Sequence, residues 1–292
     1  MKKYLTIFLC ILSVSITYSA ERYGGFLQEK TNTRATGMGD AFIAVADKEG
    51  FEYNPAGLAF SDKTLLQFDK ESGYNSMSNA EVVLPLTAGK GLAIGFSHIK
   101  LSVDDIAKWQ DENTQLGTFS SEESANIFGI GLQYEKNLGV GVLVKLMNQS
   151  LDNAKADGYT VDLGMLYNHK DYMYLAMVLT NIKGDGLKWN TARGTIDELP
   201  STLKLGGALR LFKDNFISSI QYENELGLKK RSSLKFGEEV WIKDRLALRI
   251  GSNSGKLTAG LGIKLINLIG IDYSYSKEDL GNVNRVSLNI KF

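Results

Sequence analysis

The feature that most constrains this 292-residue chain is an alternation of apolar and polar residues that recurs from about residue 63 to the C-terminus. Successive side chains of a β-strand point to opposite faces of a sheet, so a two-residue period predicts strands with one apolar face and one polar face. Fourteen such segments are separated by turns rich in Gly, Asn, Asp or Lys. They cover roughly residues 63–71, 78–88, 91–101, 123–135, 138–149, 158–168, 171–181, 201–212, 214–224, 232–242, 244–251, 256–265, 267–276 and 284–292.

The polar faces of these segments distinguish a barrel from a soluble sandwich. A sandwich also alternates, but its outer face is usually rich in charge. Here the polar face is crowded with Gly, Ala, Ser and Thr, which suits the narrow lumen of a closed barrel. Scattered charges on this face are predicted to point into the lumen: Asp162, Lys204, Arg210, Arg249 and Asp272. The sequence therefore predicts an all-β fold, a transmembrane antiparallel barrel of about fourteen strands over residues 63–292.

The connections between segments are unequal in length. Several joins read as tight hairpins, whereas longer connections are predicted at residues 102–122, 150–157, 182–200, 225–231 and 277–283. Short turns on one side and longer loops on the other are typical of bacterial outer-membrane barrels, whose strand number is also even.

The first twenty residues read as a secretory signal peptide. Lys2 and Lys3 precede an apolar run over residues 4–16, and Ala20 offers a small residue at the cut. Cleavage would remove Cys10, the only cysteine, so disulfides and thiolate metal sites are not expected in the mature chain. It would also remove two of the 33 basic residues and none of the 33 acidic ones, which leaves a net charge of −2. A chain with this charge offers no strongly basic surface for nucleic acid.

If the exported chain is integral to a membrane, its sequence limits the kind of structure that can span it. No stretch after the leader reaches the roughly 18 continuous apolar residues of a membrane-spanning helix. Only helices and closed barrels satisfy every backbone polar group in lipid. We therefore expect a multi-pass β-barrel in contact with lipid of the bacterial outer membrane.

The last segment has one wholly apolar face, formed by Val286, Leu288, Ile290 and Phe292. It resembles the terminal strand that bacterial outer-membrane barrels present to the barrel assembly machinery, which implies that machinery as a partner. If the barrel closes, this strand should pair with the first, near residues 64–68.

Residues 34–60 do not alternate. Gly37 and Gly39 lead into Asp40, a predicted helix cap, and residues 41–46 could form one to two helical turns. The following turn is predicted from Asn54, whose side chain can bond forward, from Pro55, Ala56, and from Gly57, which permits a positive φ. Because this piece precedes the first strand of a barrel, residues 21–62 are predicted to fold into the lumen as a hatch.

Two parts of this segment carry a family resemblance. The run from Ala35 to Phe42 followed by the run from Tyr53 to Ala59 resembles the start of the PorV/PorQ family of outer-membrane proteins. That family is related in fold to the fatty acid transporter FadL, in which an Asn-Pro-Ala element lies in an N-terminal hatch inside a fourteen-stranded barrel. The resemblance implies gate roles for Gly37, Gly39, Asp40, Asn54, Pro55, Ala56 and Gly57. This chain is shorter than typical FadL transporters, so reduced outer loops are expected.

No arrangement of residues points to catalysis. The two histidines, His98 and His169, have no serine or other partner at a spacing that would support nucleophilic chemistry or metal binding. Paired acids such as Asp104 and Asp105 are better explained by loop solvation than by acid–base chemistry. We therefore expect no enzyme activity, no cofactor and no metal.

Two functions remain open. In the first, the barrel is a plugged conduit for hydrophobic small molecules, which the FadL kinship and the predicted hatch suggest. In the second, it is an outer-membrane scaffold that holds secretion-system proteins, as PorV-like members do in type IX secretion.

Overall fold

The computed structural model describes residues 32–45, 49–73, 75–87, 91–226, 231–279 and 281–292. The predicted leader over residues 1–20, with Cys10, lies outside these ranges. No helix among the described residues is long and apolar enough to cross a membrane.

In the described part of the chain, two short helices precede the strands. Helix α1 spans Thr33–Gly37, and a 3-10 helix spans Pro55–Phe60. The strands are β1 Leu65–Ser72, β2 Ser76–Pro85, β3 Leu92–Asp111, β4 Thr114–Glu135, β5 Leu138–Leu151, β6 Ala154–His169, β7 Met173–Gly184, β8 Leu187–Trp189, β9 Ile196–Asp197, β10 Ser201–Leu211, β11 Phe216–Leu226, β12 Ser232–Ile242, β13 Leu246–Asn253, β14 Lys256–Lys264, β15 Ile269–Glu278 and β16 Gly281–Lys291.

Fourteen strands, β1–β7 and β10–β16, close into an antiparallel barrel. Each pairs with its neighbours in chain order, β7 pairs with β10, and β16 returns to β1. The closing register places Leu65 opposite Lys291, and the N–H of Phe292 donates to the carbonyl of Thr64 at 3.0 Å. The predicted fourteen-stranded barrel is confirmed, as is the pairing of its terminal strand with the first. The recognition of that strand by assembly machinery stays a prediction.

The two faces of the wall follow the predicted alternation. Large apolar side chains are exposed on the exterior, such as Phe128, Leu163 and Leu261, while their sequence neighbours point inward and are buried or small. This distribution is the reverse of a soluble protein, and it matches a barrel whose exterior meets hydrocarbon.

The structure corrects the predicted loop at residues 102–122. The barrel neighbours of β3 and β4 end opposite Ser102 and Ser121, but β3 and β4 continue as a paired hairpin to Asp111 and Thr114. Alternation fades in this hairpin because neither face is buried, so neither face selects apolar side chains. The backbone bonds between the two strands hold it together instead.

The other four predicted connections also contain strand. β5 and β6 meet at a tight turn whose Asp152 has a φ of 52°, and the connection at 182–200 holds the short strands β8 and β9. β11 extends to Leu226, β15 extends to Glu278, and β16 begins at Gly281. Strand pairing depends on a partner that the local sequence does not specify. These corrections leave the β3–β4 hairpin as the largest projection among the described residues.

Candidate functional site: a hatch seated in the lumen

The described residues that precede the barrel fill its lumen. Between Asn32 and Ala59 every described residue except Asp40 is buried. Helix α1 contacts β13–β16, and the 3-10 helix contacts β3–β6, on another part of the wall. We use the term hatch for the described residues of the range 32–60. The limits of the predicted hatch segment, residues 21–62, stay a prediction, since residues 21–31 lie outside the described ranges.

The helix of the hatch lies earlier than predicted. Asn32, not Asp40, caps α1, and its side chain accepts from the N–H of Ala35 at 2.9 Å. Gly39 and Asp40 follow with φ values of 63° and 57°, which end the helix, so residues 41–45 are not helical. Asp40 instead accepts from the hydroxyl of Tyr53 at 2.8 Å and from Asn253 at 3.1 Å. Burial and the neighbouring Asp40 raise the pKa of Tyr53 well above its usual value, so the phenol stays a donor.

Asn54 joins three parts of the site. Its side-chain oxygen accepts from the N–H of Ala56 at 3.0 Å, and its amide nitrogen donates to the carbonyls of Ile43 at 2.9 Å and Met165 at 3.1 Å. The forward bond matches the predicted turn chemistry, and Pro55 begins the 3-10 helix. The expected positive φ at Gly57 is wrong, because Gly57 lies within that helix and has no positive φ.

Glycines on the inner wall create the space in which the hatch lies. A Cβ on Gly141 would lie 2.4 Å from the carbonyl carbon of Pro55, and one on Gly131 would lie 2.5 Å from the Cβ of Leu58. A Cβ on Gly251 would lie 2.2 Å from the nitrogen of Gly39. The glycines whose Cβ would meet the hatch within 3.1 Å form a belt around the barrel: Gly95, Gly129, Gly131, Gly139, Gly141, Gly164, Gly206, Gly237, Gly251 and Gly260.

Ion pairs also hold the part of the hatch around α1. Arg34 donates to both carboxylate oxygens of Glu239 at 2.9 and 2.7 Å and to Glu49 at 3.1 Å. Arg249 binds the same Glu239 at 2.6 Å and Asp272 at 2.5 Å. Because these groups are buried, each depends on its partners for the hydrogen bonds that water would supply. A second contact of this kind joins Arg285 to Glu71 and to the hydroxyl of Thr36.

All five charged residues proposed for the lumen lie on the inner face. Arg249 and Asp272 belong to the ion-pair network beside α1. Asp162 pairs with Lys145 at 2.5 Å, and Lys204 pairs with Glu223 at 3.3 Å. Arg210 donates to the carbonyl of Val45 at 2.8 Å and so touches the hatch directly.

Near the β3–β4 hairpin, the lumen wall has an apolar side and a charged side. On one side Leu187, Trp189 and Leu199 from the β7–β10 connection pack with a buried apolar cluster that includes Met77 and Ile99. Charges occupy the other side: Lys204 and Lys235 both contact Oε1 of Glu223, at 3.3 and 3.1 Å.

The side chain of Gln221 links these charges to the hatch. It donates to Glu223 at 2.7 Å and accepts from the N–H groups of Phe42 and Ile43 at 3.0 and 3.1 Å. The polar side of the wall therefore contacts the hatch backbone directly.

Sequence reasoning did not identify Arg34, Glu239, Gln221 or Arg285 as site residues. The alternation could have identified the three wall residues, because each is a polar residue on the face of its strand where small residues predominate. Arg34 carried no such signal, because its partner Glu239 is 205 residues away in the chain.

Comparisons with known proteins identify the fold. No family model matches the chain, and no curated protein matches it. The solved structure of the CymD monoaromatic hydrocarbon channel aligns with a TM-score of 0.66 at 13% identity, over 89% of this chain and 96% of that one. A FadL homologue of Pseudomonas aeruginosa aligns with a TM-score of 0.59 at 13% identity, over 90% and 98%. The Ralstonia pickettii toluene transporter TbuX gives 0.59 at 14% identity, over 91% and 98%.

The chain has a FadL-like barrel fold. Because the aligned chains are nearly covered, the likeness extends over the whole barrel rather than a few strands. Identities of 13–14% relate the folds alone. The narrower resemblance to the PorV/PorQ family stays a prediction.

Proposed function

We propose that this protein is an outer-membrane channel for small hydrophobic molecules, closed by its hatch in the conformation described. The observation that carries the proposal is the combination of a FadL-like barrel with a lumen filled by the hatch. Structural neighbours with this fold are a monoaromatic hydrocarbon channel and a toluene transporter. Trp189 and Leu199, which are partly buried beside the apolar cluster of Leu187, offer small apolar molecules a surface at the hairpin end of the lumen.

Passage requires the hatch to move or to open a path beside the wall. The hatch is held by backbone seated against glycines, by the buried ion pair of Arg34 with Glu239, and by hydrogen bonds from the wall such as that of Arg285 to Thr36. When Arg34 leaves, Glu239 still has Arg249 as a partner. The gate roles of Gly37, Gly39, Asp40, Asn54, Pro55, Ala56 and Gly57 belong to this proposal. Of these residues, Asn54 has the most direct role, since it ties both halves of the hatch to β6.

Uptake by liposomes tests the proposal. Purified protein should carry toluene into liposomes faster than empty liposomes take it up through lipid alone, and a variant without residues 37–57 should show ionic conductance in planar bilayers. Hydrocarbon uptake equal to that of empty liposomes, together with no conductance after the deletion, would rule out a conduit. Heat-modifiable gel migration provides the control that each variant has formed a barrel.

The scaffold alternative rests on the PorV/PorQ resemblance alone. No contact among the described residues favours it over the channel. A pull-down that recovers a stoichiometric envelope protein, combined with absent uptake, would reverse this preference.

A further inference from the structure

A polar cleft lies on the outside of the barrel, where β4, β5 and β6 approach the base of the hairpin. It encloses about 410 Å³ and is lined by Glu122, Ser124, Asn148, Gln149, Ser150, Lys155, Ala156 and Asp157. Its lining is polar except for Ala156, unlike the apolar exterior around it. The hatch and the lumen do not account for this cleft.

The strand registers show that the cleft faces outward. Glu122, Ser150 and Lys155 lie side by side in one row, and Ser124, Asn148 and Asp157 lie in the next. On each strand these residues share the phase of the exterior apolar residues, such as Phe128 on β4. A ligand therefore reaches the cleft from the membrane side of the wall.

The rows below the cleft mark the membrane boundary. The next row, toward the β4–β5 turn, contains Asn126, Leu146 and Tyr159, and the row after it contains Phe128, Val144 and Val161. Tyrosine is enriched where the hydrocarbon region meets the headgroups. The long hairpin marks the external end of the barrel, since long loops of such barrels face outward. The cleft thus lies at the height of the headgroups of the outer leaflet.

The lining has hydrogen-bonding groups to offer. Among the described residues, the side chains of Ser124, Asn148 and Ser150 take part in no hydrogen bond, whereas the neighbouring Gln149 donates to Glu123 at 3.1 Å. Glu122 is already paired with Lys100 at 2.6 Å, so Lys155 and Asp157 leave the cleft close to neutral. Amides and hydroxyls without excess positive charge suit sugar hydroxyls better than a phosphate.

We propose that this cleft binds the sugar headgroup of an outer-leaflet glycolipid. Asn148 supplies donors and an acceptor, Ser124 and Ser150 supply hydroxyls, and Lys155 and Asp157 take further sugar hydroxyls at the rim. The site rests on the outer-membrane location in the proposed function, but it is independent of transport because it lies on the other face of the wall.

Native mass spectrometry tests this inference with rough lipopolysaccharide, which consists of lipid A and core sugars, as the probe. We expect the intact protein to retain one lipopolysaccharide, and the double variant Ser124→Leu/Asn148→Leu to bind it at least 10-fold more weakly. Asn224→Leu, on the exterior of β11 toward the same end of the barrel, is the matched control and should bind as the intact protein does. The variant Ser124→Thr/Asn148→Gln should retain most of the binding.

Three results would overturn the site. Equal retention by the intact protein and both leucine variants would mean unspecific lipid association. Equally tight binding of the free core oligosaccharide would mean a soluble glycan rather than a lipid headgroup. If Asn224→Leu also lost lipopolysaccharide binding, the binding would depend on polar residues of the barrel exterior in general and not on this cleft.

Toluene uptake by the same samples separates this site from the proposed function. Unchanged lipopolysaccharide binding without uptake would contradict the channel and leave the cleft standing. Heat-modifiable migration must be kept by all variants for the comparison to count.

Discussion

At the scale of single residues, the hatch is held both by glycines, whose lack of a side chain lets its backbone approach the wall, and by charged side chains. The hatch backbone approaches the wall so closely that side chains are excluded at the glycine belt. Around α1, the hatch also depends on long charged side chains, such as Arg34 with its partner Glu239. The two kinds of contact should therefore respond differently to substitution.

Gly141→Ala should unseat the hatch, because the new Cβ would lie 2.4 Å from backbone of Pro55. Overpacking of this kind costs about 1–3 kcal/mol. We expect a lower denaturant midpoint of the folded barrel and a higher conductance in planar bilayers. Gly270→Ala is the matched control, since its Cβ has no neighbour closer than 3.6 Å. Equal behaviour of the two variants would contradict the seating role of the belt.

Arg34→Met should loosen the part of the hatch around α1. The substitution removes one partner of a buried ion pair with Glu239. Such a change costs about 3–5 kcal/mol of folding free energy when the remaining charge has no partner. The cost should be smaller here, because Arg249 still binds Glu239. Hydrogen exchange should rise in residues 33–45 and stay constant in the barrel strands. Lys100→Met removes the exposed pair with Glu122 and should change stability by less than about 1 kcal/mol. A hatch as protected as in the intact protein would show that Arg34 does not fasten it.

At the scale of elements, the wall and the projections obey different rules. Wall strands alternate because lipid-facing and lumen-facing positions alternate, so their existence was readable from sequence. The β3–β4 hairpin has two exposed faces and carries register shifts, for example between Val103 and Ile106, which blunt its free edges. Its sequence resembles a loop although its backbone is paired.

Replacement of residues 104–120 by an Asn-Gly turn should leave the barrel intact. Val103 and Ser121 are directly opposite, so a two-residue turn can join them. Beyond its own ladder, the hairpin contributes the exposed pair of Lys108 with Asp152 and a bond from the N–H of Asp152 to the carbonyl of Ser120 at 3.5 Å. Thermal unfolding in detergent should shift by only a few degrees, with heat-modifiable migration kept. Loss of the folded band would mean that the hairpin is needed to nucleate the wall.

At the scale of the whole molecule, transport depends on the relation between hatch and wall. Gly37 on α1 and Gly260 on β14 approach closely, and a Cβ on Gly37 would lie 3.1 Å from the Cα of Gly260. A covalent link at this point would fix the N-terminal half of the hatch to the barrel.

The double variant Gly37→Cys/Gly260→Cys should transport only when reduced. A Cβ on either residue would lie 3.0–3.1 Å from the Cα of the other, so α1 must shift by a few tenths of an ångström for the disulfide to form. The one natural cysteine, Cys10, lies in the predicted leader. We expect toluene uptake by liposomes to fall at least 10-fold on oxidation and to return with a reductant. Each single cysteine variant is a control and should not respond. Undiminished uptake in the fully oxidised protein would place the path elsewhere and leave this half of the hatch without a gating role.

The sequence by itself determined the barrel. Fourteen alternating segments specify which residues face outward, and a barrel that closes on itself requires its terminal strand to pair with the first, predicted near residues 64–68. This success has a local cause: in a strand, the side-chain period is a property of the chain itself, and lipid on one side makes it visible. The turn at Asn54 was readable for the same reason, because its hydrogen bond spans two residues.

The tertiary structure decided how the lumen is used. Asn32 rather than Asp40 caps the helix of the hatch, which packs against β13–β16, and Gly57 is helical in the 3-10 helix, which packs against β3–β6. The pairing of Arg34 with Glu239 and the seating of Pro55 on Gly141 join residues far apart in sequence. No periodicity records such contacts, because they arise only when a closed wall brings its inner face around the hatch.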